Sequence, residues 1–216
     1  MAEAGLFDIM YSTRSMRKLK TDPVPDAVIH QIMEAATRAP SGTNTQHWRF
    51  LVVKDPAVKQ QVQALYQKGW SEAKAMYDNR PGPEHMSQNQ FGRLLDAATH
   101  LAEHMAEAPV LIFACLKERP LPPQLAARLG RLAGSSIYPA VQNILLTCRA
   151  LGLGATLTTV ASLHEDELKQ VLGLPADVNT YALIPIGYPL GKFGPVKRLP
   201  VEEVTCLDKW GQAFVK

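Results

Sequence analysis

Residues 39–50, with the sequence APSGTNTQHWRF, constrain the fold of this chain more than any other stretch. Apolar side chains recur at helical spacing over residues 27–38, which predicts a helix that Pro40 ends. The apolar run at residues 50–53 predicts a strand. The link between the two is rich in hydroxyl, amide and glycine residues. Such residues suit a simple turn and also a loop that offers donors to a polar ligand, and both interpretations stay open.

Helices and strands alternate along the rest of the chain, which predicts a single α+β domain over residues 1–216. A continuous apolar run at residues 109–116 predicts a strand that is buried on both faces. Further strands are expected at residues 155–159 and 181–186. Helices are expected at residues 7–12, 58–68, 94–108, 124–132, 137–151 and 162–172.

Three short signals refine these boundaries. Pro185 lies within a predicted strand, which indicates a sheet edge or a bulge. Ser162 and Glu165 have the spacing of a capping box at the start of the last predicted helix. Gly152 follows the predicted helix at residues 137–151 and is expected to end it in the left-handed conformation.

The composition limits the functions that this chain can have. Its residues are 46% hydrophobic and 20% charged, which is the make-up of an ordinary folded domain rather than a disordered chain. The net charge of +3 is too small to indicate a nucleic-acid binder. Three cysteines lie far apart and form no CxxC pair, so the sequence predicts neither a disulfide framework nor a zinc site.

We also expect no bound metal and no membrane segment. His100 and His104 lie one helical turn apart, but the sequence places no third ligand near them and lacks the HExxH pattern. The chain begins MAEAGLFD, without a basic region followed by an apolar one, and has no apolar run of about 18 residues. These features predict a cytoplasmic protein.

Two separate positive clusters are conspicuous. One contains four basic side chains within residues 14–20, and the other contains Lys197 and Arg198. Each could be a solvated turn or an anion site, and a nucleic-acid patch is a third possibility that no interleaved aromatic residues support. Together with the donor-rich loop and a threonine-rich strand end at residues 156–159, they predict a binder of a phosphorylated ligand.

Two other stretches differ in character from the predicted core. Residues 69–90 contain Trp70 and Tyr77 among polar residues, and we interpret this stretch as a mobile excursion or lid, with plain packing as the alternative. The tail at residues 201–216 contains Trp210, an aromatic residue that requires a surface to cover it. That surface could belong to the same chain or to a second copy.

An ordered set of short motifs extends over nearly the whole chain and resembles the FMN-dependent nitroreductase superfamily. Each motif is weak by itself, but the set in this order is specific. In chain order the motifs are Arg14-Ser15-x-Arg17, Pro40-Ser41-Gly42-x-Asn44-x-Gln46-x-Trp48, Gln142-Asn143, Leu151-Gly152-Leu153-Gly154, Ile186-Gly187-Tyr188-Pro189 and Lys197-Arg198-Leu199-Pro200.

The resemblance implies a nitroreductase-like fold, with a central, mostly antiparallel sheet flanked by helices. It also implies an intertwined homodimer with FMN at the subunit interface. Arg14, Ser15 and Arg198 would hold the FMN phosphate with help from Lys197, and Arg17 would face the N1/O2 edge of the flavin and tune it. The loop would reach the partner's flavin through Pro40, Ser41, Gly42, Asn44 and Gln46. The ring would be lined by Leu157, Thr158 and Thr159, with Thr159 near N5 as a second tuner.

The implied activity is that of an NAD(P)H-dependent FMN oxidoreductase. NAD(P)H would reduce the flavin and leave, and a small organic acceptor such as a nitroaromatic or a quinone would then take the electrons. The cofactor carries this chemistry, so no catalytic side chain is expected.

The sequence leaves two alternative functions open and departs from the family pattern at two positions. The run at residues 157–159 is more similar to the iodotyrosine-deiodinase branch, so a reductive dehalogenase-like one-electron enzyme is an alternative. A flavin-binding protein without turnover is a second alternative function. The family usually has proline at the position of His47 and arginine at the position of Thr13, so both residues depart from its pattern.

Overall fold

The computed structural model describes residues 5–78, 80–117, 122, 132 and 134–214. At its centre is a four-stranded sheet of order β1-β2-β4-β3, in which all neighbouring strands are antiparallel. The strands are β1 (Trp48–Val53), β2 (Val110–Lys117), β3 (Gly154–Ala155) and β4 (Val178–Gly187).

The helices of the described residues flank this sheet, so the predicted α+β fold with an antiparallel sheet is confirmed. They are α1 (Leu6–Ser12), α2 (Asp26–Ala36), α3 (Pro56–Asp78), α4 (Gln88–His104), α5 (Gly134–Ala150), α6 (Glu165–Leu172) and α7 (Val201–Val204). The helix predicted at residues 124–132 lies outside the described residues, apart from Leu132.

The sheet separates two apolar layers, because successive side chains of a strand point to opposite faces. On one face, Ile112 and Ala114 of β2 pack in a cluster with buried residues of α2 and α5. On the other face, Leu111 and Phe113 pack in a second cluster with buried residues of α3, α4 and α6. The first six residues of β2 are therefore buried, as the unbroken apolar run predicted.

Pro185 does not lie on an edge strand, so this part of the prediction was wrong. It lies in β4, between β2 and β3, and pairs in register with Leu111 of β2. The ladder to β3 ends where Ala155 pairs with Ile186. On that side of β4 no ladder partner faces Pro185, which is where a residue without an N–H group is tolerated.

The predicted capping box at Ser162 and Glu165 was also wrong, because both side chains have tertiary partners. The Ser162 hydroxyl pairs with Thr180 Oγ1 at 2.9 Å, and Glu165 accepts a hydrogen bond from Thr180 N at 2.8 Å. Helix α6 begins without a side-chain cap. A capping box occurs instead at Ser87 and Gln90, where it opens α4.

Helix α3 continues to Asp78, ten residues beyond the predicted end at Lys68. Trp70 explains the extension, since its ring is buried in the second cluster and its Nε1 donates to Thr99 Oγ1 of α4 at 3.1 Å. Residues 69–90 thus comprise the end of α3, a link and the start of α4. The mobility of this stretch stays a prediction.

Candidate functional site

The positive segment at residues 14–20 lies along β3. Met16 N donates to Ala155 O at 2.9 Å, which adds an extended segment beside the short strand. Gly154 permits this approach, because a Cβ at that position would lie 2.9 Å from the Cβ of Met16. The segment is thereby held against the sheet at the point where the threonine-rich residues follow β3.

Arg17 lies in the wall of a cavity of about 290 Å³. Burial lowers the pKa of Arg17, and the nearby Tyr66 offsets part of this effect. The guanidinium still remains cationic at neutral pH. The cavity therefore presents one fixed positive charge within walls that are mostly aromatic and aliphatic. Its lining residues are Arg17, Tyr66, Trp70, Tyr77, Pro83, Met86, Phe91, Leu94, Leu95, Ala98, Leu157, Thr158 and Val160.

Tyr66 and Thr158 are joined in the wall of this cavity by a hydrogen bond of 3.0 Å between their hydroxyl oxygens. The backbone of Thr158 is fixed by Leu183, whose C=O accepts at 2.9 Å and whose N–H donates at 2.8 Å. Val160 N also donates to Thr158 Oγ1, at 3.4 Å. Burial raises the pKa of Tyr66, while Thr158 and the Arg17 charge oppose the shift.

The polar loop is folded on itself and on α5. Gln46 N donates to Ser41 Oγ, and Gln46 Nε2 donates to Asn44 Oδ1, each at 3.1 Å. Gly42 N donates to Ser136 Oγ of α5 at 3.1 Å. Three non-glycine residues of the loop are in the left-handed region: Thr43 (φ 50°), Asn44 (φ 54°) and Gln46 (φ 51°).

The structure brings together only some of the residues predicted for the site. Arg17, Leu157 and Thr158 share the cavity. Within the described part of the chain, no hydrogen bond joins the loop at residues 40–46 to residues 14–17. The predicted site residues that are exposed are Arg14, Ser15, Pro40, Gly42, Asn44, Gln46, Thr159, Lys197 and Arg198.

The two positive clusters lie near the same end of α1, although they are distant in sequence. Val196 N donates to Tyr11 O of α1 at 2.9 Å, three residues before Arg14. Lys197 and Arg198 follow directly and are exposed. This hydrogen bond holds the chain just before the second cluster against the end of α1 that precedes the first cluster.

Sequence reasoning singled out Trp70 and Tyr77 within residues 69–90 but did not predict that they and Tyr66 line a cavity. Tyr66 and Trp70 continue the helical spacing of Val62 along α3, and this spacing is typical of core residues. Three buried polar atoms also have no hydrogen-bond partner among the described residues: His47 Nε2, Thr156 Oγ1 and His164 Nε2, the last of which lies 3.2 Å from Glu72 Oε1. Buried polar groups in folded proteins nearly always have a hydrogen-bond partner, which can be a protein group, a water or a ligand. The Thr156 hydroxyl is therefore available to a water or a ligand.

Comparisons with known proteins identify the class of this chain. A sequence model described as "Nitroreductase family" matches residues 10–188. A protein named NADH dehydrogenase from Thermus thermophilus is 30% identical over 209 residues, which cover 89% of this chain and 90% of that protein. The chain therefore belongs to the nitroreductase family, a family of oxidoreductases.

Two further similarities support narrower conclusions about this chain. Iodotyrosine deiodinase from Drosophila melanogaster is 29% identical over 187 residues, and the match covers 85% of this chain but only 62% of that protein. A nitroreductase from Desulfitobacterium hafniense, solved with bound FMN, superposes with a TM-score of 0.68 and 21% identity. That superposition covers 96% of this chain and 100% of the other, and it shows a shared fold.

The described residues contain no group of three or more His, Cys, Asp or Glu side chains that could hold a metal ion. Among the described helices, none is both long and apolar enough to cross a membrane. The predicted cytoplasmic location stays a prediction.

Proposed function

We propose that this protein is an FMN-dependent oxidoreductase that passes electrons from NAD(P)H to a small organic acceptor such as a nitroaromatic or a quinone. The observation that carries the proposal is the cavity at which Arg17, Leu157 and Thr158 meet. A cation in an apolar, ring-lined cavity is suited to a flat heterocycle on which negative charge develops. Family membership supports the same reaction class.

The donor set fits FMN at both of its ends. When bound, FMN supplies the redox chemistry. Arg17 would stabilise negative charge at one edge of the ring, and Leu157, Thr158 and Thr159 would position its face. Arg14, Ser15, Lys197 and Arg198 would hold the phosphate, because arginine forks and hydroxyl groups are suited to phosphate oxygens.

We further propose that the single domain forms a homodimer and that the loop serves the partner's site through Pro40, Ser41, Gly42, Asn44 and Gln46. None of the loop residues lines the cavity of its own chain, which supports this assignment. Apolar side chains are also exposed at both ends of the chain: Phe7 is 66% exposed, Tyr11 64% and Trp210 98%. Patches of this kind mark interaction surfaces.

Part of residues 69–90 would cover the bound ligands. Trp70, Tyr77, Pro83 and Met86 belong to this stretch and line the cavity. Movement of the link between α3 and α4 would therefore open or close the cavity. A cover of this kind excludes water from the site during electron transfer.

The decisive experiment is a visible spectrum of the purified protein during anaerobic addition of NADH or NADPH. We expect yellow protein, or protein that becomes yellow on titration with FMN, whose colour is bleached by the nucleotide and restored by a nitroaromatic or a quinone. Protein that takes up no FMN would contradict the proposal. Bound FMN that neither nucleotide bleaches would instead indicate a flavin-binding protein without turnover.

Reductive dehalogenation is a second candidate function. Its supporting observations are the similarity to iodotyrosine deiodinase and the presence of the Thr158 hydroxyl in the cavity wall. The test is iodide release from 3-iodo-L-tyrosine and from 2-iodophenol, which lacks the amino-acid group. Iodide from either compound would support this candidate, whereas no iodide in the presence of active, reducible FMN would reject it.

A further inference from the structure

We propose that Tyr66 is a positioning residue: its phenol donates to Thr158 Oγ1 and thereby turns the Thr158 hydroxyl hydrogen toward an acceptor atom of a ligand in the cavity. The inference rests on the proposed FMN site. It concerns a residue that lies outside all the motifs of the sequence and that continues the helical spacing of the buried residues of α3.

The contact between the Tyr66 and Thr158 hydroxyls could run in either of two directions. A threonine hydroxyl has one hydrogen to donate and can accept two hydrogen bonds. Thr158 Oγ1 already accepts from Val160 N, and Tyr66 OH lies 3.0 Å away. In the described part of the chain, Thr158 Oγ1 is the one hydrogen-bond partner of the Tyr66 hydroxyl.

Burial decides between the two directions. If Thr158 donated to Tyr66, the hydrogen without an acceptor would be on a phenol that is 2% exposed. A buried donor without a partner is costly. If Tyr66 donates, the spare hydrogen is on Thr158, which also lines the cavity but is only partly buried and so exposes more of its surface to a ligand. The nearby Arg17 charge favours this direction, because a cation makes the phenol a better donor.

The neighbouring backbone makes Thr158 a fixed platform. Both of its main-chain groups are paired with Leu183 of β4, a strand at the centre of the sheet. Rotation of its side chain is therefore the one freedom left to the hydroxyl, and Tyr66 restricts it. A ligand acceptor such as a ring nitrogen or a carbonyl oxygen would meet an oriented donor, which reduces the entropy lost on binding.

The test is a double-mutant cycle on FMN affinity, measured by titrating FMN into protein from which it has been removed. Tyr66→Phe should weaken binding about 3- to 10-fold, which corresponds to the loss of one neutral hydrogen bond. Thr158→Val should also weaken binding. The double variant should bind no more weakly than Thr158→Val alone, because Tyr66 acts through Thr158. The visible band of bound FMN should shift in the same direction in both single variants.

Two controls separate positioning from packing. Tyr138→Phe removes a phenol that lies outside the cavity, where it donates to Tyr181 O at 3.4 Å, and should leave the affinity unchanged. Thr158→Ser keeps the hydroxyl, so Tyr66→Phe should still weaken binding in that background. Wild-type affinity in Tyr66→Phe, or losses that multiply in the double variant, would overturn the inference while leaving the proposed function intact. Failure of the wild type to bind FMN would instead overturn the proposed function.

Discussion

Arg198 is exposed, and among the described residues its guanidinium donates only to the carbonyl of the preceding residue, at 2.8 Å. Its proposed partner is the FMN phosphate, so Arg198→Ala should weaken FMN binding by about 1.5–3 kcal/mol through loss of a charge-assisted hydrogen bond. Titration with FMN measures this difference. Arg38→Ala is the matched control. Arg38 is also an exposed arginine, and its guanidinium forms an ion pair of 2.8 Å with Glu34 of α2. Equal affinity in wild type and Arg198→Ala would refute the assigned role.

Cys148 links burial to the pH dependence of stability. Burial raises the pKa of this thiol to about 12, from an ordinary value of 9.0. Between these two values the folded chain keeps a proton that the unfolded chain loses. The free energy of unfolding should therefore fall as the pH rises above 9.

Cys148→Ala should reduce that slope by up to ~1.4 kcal/mol per pH unit, the contribution of one proton. Denaturant unfolding at several pH values above 9 measures the slope. Comparing slopes removes the constant loss caused by the smaller side chain. Ile144→Val is the control, because it shortens another buried side chain of α5 without removing an ionisable group and should leave the slope unchanged. Identical slopes in Cys148→Ala and wild type would contradict the prediction.

Single residues also show where sequence reasoning stops. Gly152 was predicted to end α5 in the left-handed conformation, and its φ of 75° confirms this. The role of Tyr66 could not be predicted, because its contact with Thr158 joins residues 92 positions apart. Spacing along one helix identifies the buried face of that helix but not the partner that the face meets.

At the scale of elements, the link between α3 and α4 depends on the capping box. Ser87 Oγ accepts from Gln90 N at 3.2 Å, and Gln90 Oε1 accepts from Ser87 N at 2.9 Å. Ser87→Ala should reduce the free energy of unfolding by about 1 kcal/mol. It should also accelerate amide exchange in the first turn of α4.

Ser71→Ala provides the comparison for this variant. Ser71 is exposed within α3, where alanine is the better helix former, so its replacement should be neutral or slightly stabilising. Thermal unfolding and hydrogen exchange measure both variants. The capping role would be rejected if Ser87→Ala were as stable as Ser71→Ala.

Elements with strong local patterns could be predicted, and those set by tertiary contacts could not. The apolar run of β2 determined its position within one residue, because six successive buried residues need cover on both faces. In contrast, β3 ends at Ala155, and Thr158 makes only an isolated bridge to Leu183. A threonine-rich run favours a strand, but continued pairing depends on the neighbouring strand, which contains Pro185.

For the whole molecule, exposed apolar residues of α1 give the proposed dimer its test. Phe7→Glu should shift the protein toward monomer and weaken FMN binding together, because the proposed site needs the partner's loop. Sedimentation and FMN titration measure the two effects on the same samples. Met76→Glu is the control, since Met76 is an exposed apolar residue too, at 61%, but lies on α3. Monomeric Phe7→Glu protein with unchanged FMN affinity would refute an interfacial site.

The overall architecture could be predicted because it depends on patterns that recur along the chain. Alternating helices and strands indicated an α+β fold, and the ordered motifs indicated the family. The cavity could not be predicted, because its walls come from α3, α4 and the residues after β3, which are brought together only by folding. In residues 69–90 the sequence indicated an aromatic stretch apart from the predicted core, but it did not predict that α3 continues to Asp78.

The left-handed residues of the loop have a consequence for protein engineering. Thr43 is β-branched and has a φ of 50°, a conformation that costs such residues free energy. A selection for thermal tolerance should therefore find Thr43→Gly early, since glycine adopts this conformation without strain. If the loop is shaped for a neighbouring subunit, the same exchange would loosen it. Heat resistance and turnover would then respond in opposite directions to one substitution.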